Sequence, residues 1–157
     1  YCPPFAKNGM MNYEAIHEHG KTLIEEFDVR TPNENVAAGS LSGGNQQKAI
    51  IAREFYKDPP LLIAAQPTRG LDVGAIEFVH KRLLEQRENN KAVLLVSLEM
   101  DEVMNLADRI AVIYQGEIVG VLDGKDATER KLGIMMTGGS LEQAMKEGGR
   151  SNEATTA

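Results

Sequence analysis

Apolar positions along the chain change their spacing near residue 60. Before that point they recur at helical intervals. Asn12 is placed to cap a helix carrying Ile16, Leu23, Ile24 and Phe27 and ending near Asp28. Ser42 precedes a second helix, GGNQQKAIIAREFYKD, in which Ala49, Ala52 and Phe55, or Ile51 and Phe55, share a face; Asp58-Pro59-Pro60 stops it. Between them RTPNENVAAGS has loop composition, and residues 1–12 look irregular. After residue 60, LLIAA and AVLLVS are continuous apolar runs, the pattern of strands buried on both faces. GAIEFVHKRLLEQRENN lies between them as an amphipathic helix with Ile76, Val79, Leu83 and Leu84 on one side. MDEVMNLA predicts a short helix, RIAVIYQ and EIVGVLD a hairpin turning at Gln115-Gly116, and TERKLGIMM a last short helix. Beyond Gly138-Gly139 apolar content fades into KEGGRSNEATTA, read as a flexible tail. Strands alternating with helices predict an α/β layered fold with a mostly parallel sheet and a helical part in front.

Composition narrows the function classes. The 157 residues make one domain or part of one, and 42% hydrophobic content is enough for a core. A net charge of -6, with no run of Lys and Arg along any predicted helix, argues against nucleic acid as a partner. The single cysteine, Cys2, excludes an internal disulfide, fits a reducing compartment and reads as an incidental terminal residue. No apolar run approaches the roughly 20 residues of a membrane span, and the opening YCPPFAKNG has no signal pattern. Its lack of an initiator Met predicts a piece cut from a longer protein.

The stretch that carries chemistry is LSGGNQQKAIIAREF, residues 41–55. The first N–H groups of a helix have no intrahelical partner, and the helix dipole adds partial positive charge there. Glycines let a phosphate approach the backbone, and Ser42 can donate a further hydrogen bond. Alone, Ser-Gly-Gly before a helix favours an ordinary capped helix with a flexible entry.

The stretch is followed, in order, by AAQPT, RGLD, VSLEMDEV and ADRIAVIYQGEIV. Together these resemble the signature motif and the succeeding elements of ATP-binding cassette (ABC) ATPases over residues 41–119. The resemblance implies a partial P-loop NTPase (RecA-like) core with part of the ABC helical subdomain. It divides the chain into a helical signature portion over 1–58, the C-terminal part of the NTPase core over 59–138, and a tail over 139–157. NQQK after the glycines and TRGLDVGA after the strand are similar to fused two-cassette importers of nucleosides and simple sugars, the second cassette of the nucleoside type most of all.

In such cassettes ATP and Mg²⁺ are held on a P-loop, G-x-x-x-x-G-K-[ST]. The nearest candidate, GVLDGKD over 120–126, has one residue too few between its glycines and Asp126 in place of a hydroxyl residue, and reads as a strand end and turn. The resemblance therefore places the P-loop upstream of Tyr1, and the isolated piece is expected to bind no nucleotide well. The family's strand-end Asp and Glu correspond to Ala65 and Gln66, and its switch histidine to Leu98; a shifted alignment offers Ser97 or Glu99, neither a histidine. No catalytic position is intact. Because cassettes dimerise head to tail, the expectation is that Ser42, Gly43, Gly44 and Asn45 serve a partner cassette's ATP, with Gly70, Leu71 and Asp72 at the interface. The partner cassette is expected in the same chain. Transmembrane permease subunits and, indirectly, an extracellular substrate-binding protein complete the implied assembly at the cytoplasmic face of the cell membrane. A non-transport ABC-type ATPase, or a structural or regulatory domain with a vestigial signature, are the competing readings. The first has neither a heptad coiled coil nor a basic surface in its favour.

Other residues carry less. His17, His19 and His80 lack ligand spacing and read as surface side chains. Met135-Met136 reads as core packing. Glu99, Asp101 and Glu102 favour the start of the short helix after the second strand. Arg69 is either a phosphate contact or an exposed turn residue.

Overall fold

A computed structural model describes residues 4–148; Cys2 and the end of the expected tail lie outside the described residues. Two compact units divide the chain. One runs up to Leu62 and includes Pro67–Leu94; the other comprises Ile63–Gln66 and everything from Leu95 onward. The division passes through two strands, and the helix after residue 72 packs on the helix that follows Ser42.

The first unit opens with a small hairpin where the pattern predicted irregular chain. Strands β1 (Ala6–Lys7) and β2 (Met10–Met11) pair antiparallel. Asn8 and Gly9 both take positive φ, 52° and 79°, the conformation that Asn-Gly hairpin turns supply. Helix α1 (Tyr13–Glu26) begins at Asn12, whose Oδ1 accepts from the Ala15 N–H at 3.2 Å. It ends at Phe27, which is buried and lies edge-on to Phe55 and Phe78. The Arg82 guanidinium sits 4.5 Å from the Phe27 ring and donates to the Glu26 carbonyl at 2.6 Å, tying the end of α1 to the helix that carries Arg82.

Helix α2 (Gly43–Tyr56) follows a 3₁₀ turn at Ala38–Ser40 and buries Ile51 and Ala52. Asp58 then turns left-handed, with φ 50°, ahead of the prolines. Two parallel strands follow, β3 (Leu61–Ala65) and β4 (Ala92–Val96). Bonds from Ala92 N to Pro60 O at one end and from Gln66 N to Val96 O at the other run in the same chain sense. Between them lies α3 (Val73–Glu88). Its buried line is Ala75, Val79, Leu83 and Gln86, one step round from the predicted face; Ile76 and Leu84 are half-buried.

The expectation that both strands are buried on both faces is corrected. Leu61 and Ile63 are 51% and 63% exposed, and Leu94 and Val96 are 52% and 49% exposed. Alternate side chains of each strand point to one side of the pair, and among the described residues that side stands uncovered.

The second unit continues with α4 (Met100–Leu106) and an antiparallel hairpin, β5 (Arg109–Tyr114) and β6 (Glu117–Asp123). Gln115 and Gly116 make the predicted turn, with φ 50° and 85°. GVLDGKD is the end of β6 and a 3₁₀ turn at Gly124–Asp126, as its composition predicts. Helix α5 (Glu129–Met136) packs its buried Leu132 and Met135 against Ile110, Val112 and Leu122 of the hairpin. Met135 is core, as predicted, whereas Met136 is 41% exposed.

The first part of the expected tail is structured. Helix α6 (Leu141–Gly148) packs on α5 and buries Ala144 completely in the same core. Gly138, at φ 94°, ends α5 in the left-handed conformation glycine tolerates, and Ser140 Oγ caps α6 by accepting from the Gln143 N–H at 3.2 Å.

Candidate functional site

The N-terminus of α2 is the most chemically distinctive place in the first unit. Ser42 stands at the cap position with extended backbone, and its carbonyl accepts the first helical bond, from the Gln46 N–H at 2.9 Å. Its hydroxyl does not cap the helix. Instead Ser42 Oγ accepts from the Asn45 side-chain amide at 3.0 Å, while Asn45 Oδ1 accepts from the Arg30 backbone N–H at 2.8 Å. Among the described residues the leading N–H groups of the helix thus keep no side-chain acceptor, an arrangement open to an anion. Ser42 and Gly43 are exposed, and Gly44 and Asn45 are half-buried.

Packing does not demand glycine at position 43. A Cβ there would meet nothing within 4 Å, and its φ lies outside the left-handed region; at Gly44 a Cβ would come 4.0 Å from the Ala75 side chain. Gly43 is therefore free of any requirement from the chain around it, and the open space fits the approach of a phosphate to bare backbone.

Three side chains hold this helix start in place, and sequence reasoning assigned a structural part to none of them. Gln46 Nε2 donates to the Leu41 carbonyl and Gln47 Nε2 to the Pro67 carbonyl, both at 2.8 Å. Lys48 bonds Asp28 Oδ2 at 2.7 Å; this hydrogen bond, and then the ammonium charge, hold the Asp28 carboxyl below its ordinary pKa. The run NQQK carried the signal as composition, but the partners at residues 28, 30 and 67 lie too far along the chain to be inferred from spacing.

The Gln47 bond brings the signature helix to the loop that leads into the turn at Gly70, Leu71 and Asp72. Gly70 takes φ 73°, and the Leu71 N–H donates to the Thr68 carbonyl at 3.1 Å. Asp72 caps α3, its Oδ1 accepting from the Ala75 N–H at 2.9 Å. Arg69 is exposed. Both predicted elements, the signature and this turn, thus fall in the first unit.

The second unit holds Ala65, Gln66 and Leu98. Ala65 is exposed at the end of β3. Gln66 takes φ 50°, and its N–H donates to the Val96 carbonyl at 2.8 Å, which sets it beside the chain leading to Leu98. Leu98 is 75% exposed in a turn stabilised by the Glu99 N–H donating to Ser97 Oγ at 3.0 Å. None of the three side chains is a carboxylate or imidazole, and the described residues contain no cluster of metal-binding side chains. This strand end does not fit Mg²⁺. Glu99, Asp101 and Glu102 stand at the start of α4, as predicted. His17 pairs with Glu34 at 3.3 Å and His19 lies between Phe5 and Tyr56, so both have local structural partners.

No family model matches the chain. Curated relatives do. It is 55% identical over 143 residues to the nucleoside import ATP-binding protein NupA of Lactococcus lactis, covering 91% of this chain and 28% of that protein. It is 54% identical over 149 residues to the guanosine import ATP-binding protein NupO of Bacillus subtilis, covering 95% and 29%. The chain thus spans under a third of the length of these relatives. Among solved structures, a dimeric bacterial ABC transporter cassette is 26% identical with a TM-score of 0.63, covering 74% of this chain and 50% of that one. The ordered motifs, the cassette fold and the relatives agree: the chain belongs to the ABC transporter ATP-binding protein family.

Proposed function

We propose that this segment works in the energy-coupling ATP-binding protein of an importer of nucleosides or simple sugars, as the C-terminal part of the second of two fused cassettes. The names of its relatives support the class of cargo. Ser42, Gly43, Gly44 and Asn45 face ATP held on the partner cassette of the same chain. The Ser42 hydroxyl and the leading N–H groups of α2 donate to its phosphate oxygens. Gly70, Leu71 and Asp72 lie at the interface between cassettes. The segment's own strand end, with Ala65, Gln66 and Leu98, neither holds Mg²⁺ nor polarises water, so hydrolysis belongs to the partner's site. Closure of the cassette pair on ATP drives permease subunits at the cytoplasmic face of the membrane, which receive cargo from a substrate-binding protein.

The observation that carries this reading is the start of α2: an exposed glycine with open space where its Cβ would be, beside a serine hydroxyl not spent on capping. Gly43→Asp puts a negative side chain where phosphate must sit. ATP hydrolysis by the intact importer is expected to collapse, at expression equal to the unmodified protein. Persistent turnover makes the signature a relic and this half a structural domain.

A further inference from the structure

We propose that Asn45 is a positioning residue that keeps the Ser42 hydroxyl as an outward hydrogen-bond donor. The proposal rests on the reading that Ser42 faces a partner's ATP. The directions of two hydrogen bonds decide it. A backbone N–H only donates, so the Arg30 N–H at 2.8 Å fixes the near end of the Asn45 amide as oxygen. The other end is then the NH₂ group, and it points at Ser42 Oγ, 3.0 Å away. The NH₂ group only donates, so Ser42 Oγ must accept. Its own hydrogen cannot be spent on Asn45 and is left for an acceptor beyond the helix end. The hydroxyl makes no cap bond to the helix either. A serine with a rotating hydroxyl thereby becomes a pre-set donor, at no reorganisation cost when an anion arrives.

The same bonds link the signature to the end of α1. Arg30 follows Asp28 and buried Val29, and Asp28 is clamped to α2 by Lys48 through both its carboxylate and its carbonyl. The Arg30 N–H is therefore held by a segment tied to α2 at two points. Asn45 passes that fixed position to Ser42.

The test is a double-mutant cycle on ATP turnover of the intact importer, using Ser42→Ala, Asn45→Ala and the pair. Ser42→Ala is expected to lower kcat/KM. Asn45→Ala is expected to lower it about two- to tenfold, the worth of one net hydrogen bond, and to cost nothing further in the Ser42→Ala background. Equal losses that simply multiply mean Asn45 acts only through the α1–α2 junction and overturn the proposal. So does Asn45→Ala with unchanged turnover while Ser42→Ala is impaired. Unchanged turnover in Ser42→Ala removes the signature reading itself, and this proposal with it. Asn45→Asp guards against misfolding, because it keeps the acceptor for Arg30 while turning the Ser42 hydroxyl inward. Its loss is expected to exceed that of Asn45→Ala, and to shrink to a residual charge effect over Ser42→Ala. An equal loss in both backgrounds overturns the proposal.

Discussion

Gly43→Ala separates the demands of the fold from those of the ligand. The added Cβ meets no atom within 4 Å, so no packing is gained or lost. The backbone at Gly43 lies outside the left-handed region, so no strain is introduced. What remains is the entropy of the unfolded chain, which alanine lowers. Stability should be unchanged or raised by about 0.4–1 kcal/mol. Turnover should move the other way. A methyl group at the first helical position stands between a phosphate and the N–H groups it needs, and a loss of at least about tenfold, ~1.4 kcal/mol of transition-state stabilisation, is expected. Thermal unfolding followed by circular dichroism gives the first quantity. ATP hydrolysis by the intact importer carrying the same change gives the second. A drop in stability beyond about 1 kcal/mol shows that glycine serves the fold of this chain. Unaltered turnover shows that nothing approaches the backbone there. Either result refutes the reasoning.

Gln66→Glu is expected not to restore hydrolysis in an importer whose other site is disabled, because Ala65 and Leu98 still offer neither a metal ligand nor an imidazole; any recovered phosphate release contradicts this. Asp28 has a depressed carboxyl pKa, so its bond to Lys48 stabilises the fold fully above the ordinary value of 3.8 and loses that contribution as pH falls through the lowered one. Asp28→Asn should flatten the acid limb of an unfolding-against-pH curve, and an unchanged limb counts against the pair. Met135→Ala empties a fully buried position and should cost about 2–5 kcal/mol in urea unfolding; a loss below about 1 kcal/mol means the α5–α6 core contributes little. Ile63→Lys, at a position 63% exposed, should lower binding of an apolar-surface dye and self-association of the isolated chain, and equal dye binding means the strand face is not the source.

Helices α1 to α5, the hairpin at Gln115-Gly116 and the stop at Asp58-Pro59 are legible because each rests on local signals: a cap, an apolar period, a turn dipeptide. Asn8-Gly9 and the Ser140-x-x-Gln143 cap are signals of the same kind. The first stands beside Pro3-Pro4, which favours irregular chain, and the second lies where apolar content fades, which favours a tail. The exposure of β3 and β4 departs from the apolar pattern for a different reason. A continuous apolar run reports the environment a strand requires when its sheet is complete. It does not report what a single parallel pair covers, and Leu61, Ile63, Leu94 and Val96 stand exposed on that account.

The site divides the same way. Ser-Gly-Gly before an apolar-periodic helix is a local pattern, and the start of α2 at Gly43 follows from it. The resemblance groups Asn45 with Ser42, Gly43 and Gly44 at the site, but its bonds are invisible in one dimension. Its acceptor function is taken up by a backbone N–H at residue 30, and its donor function by the serine three residues back. That long-range bond decides which way the amide points, and hence whether the Ser42 hydrogen is spent inside the chain or offered outside it. On the proposal above, the direction of the Ser42 hydroxyl depends on a loop that carries no motif. Substitutions in RTPNENVAAGS that displace Arg30 should therefore act on turnover through Ser42 without touching the signature itself.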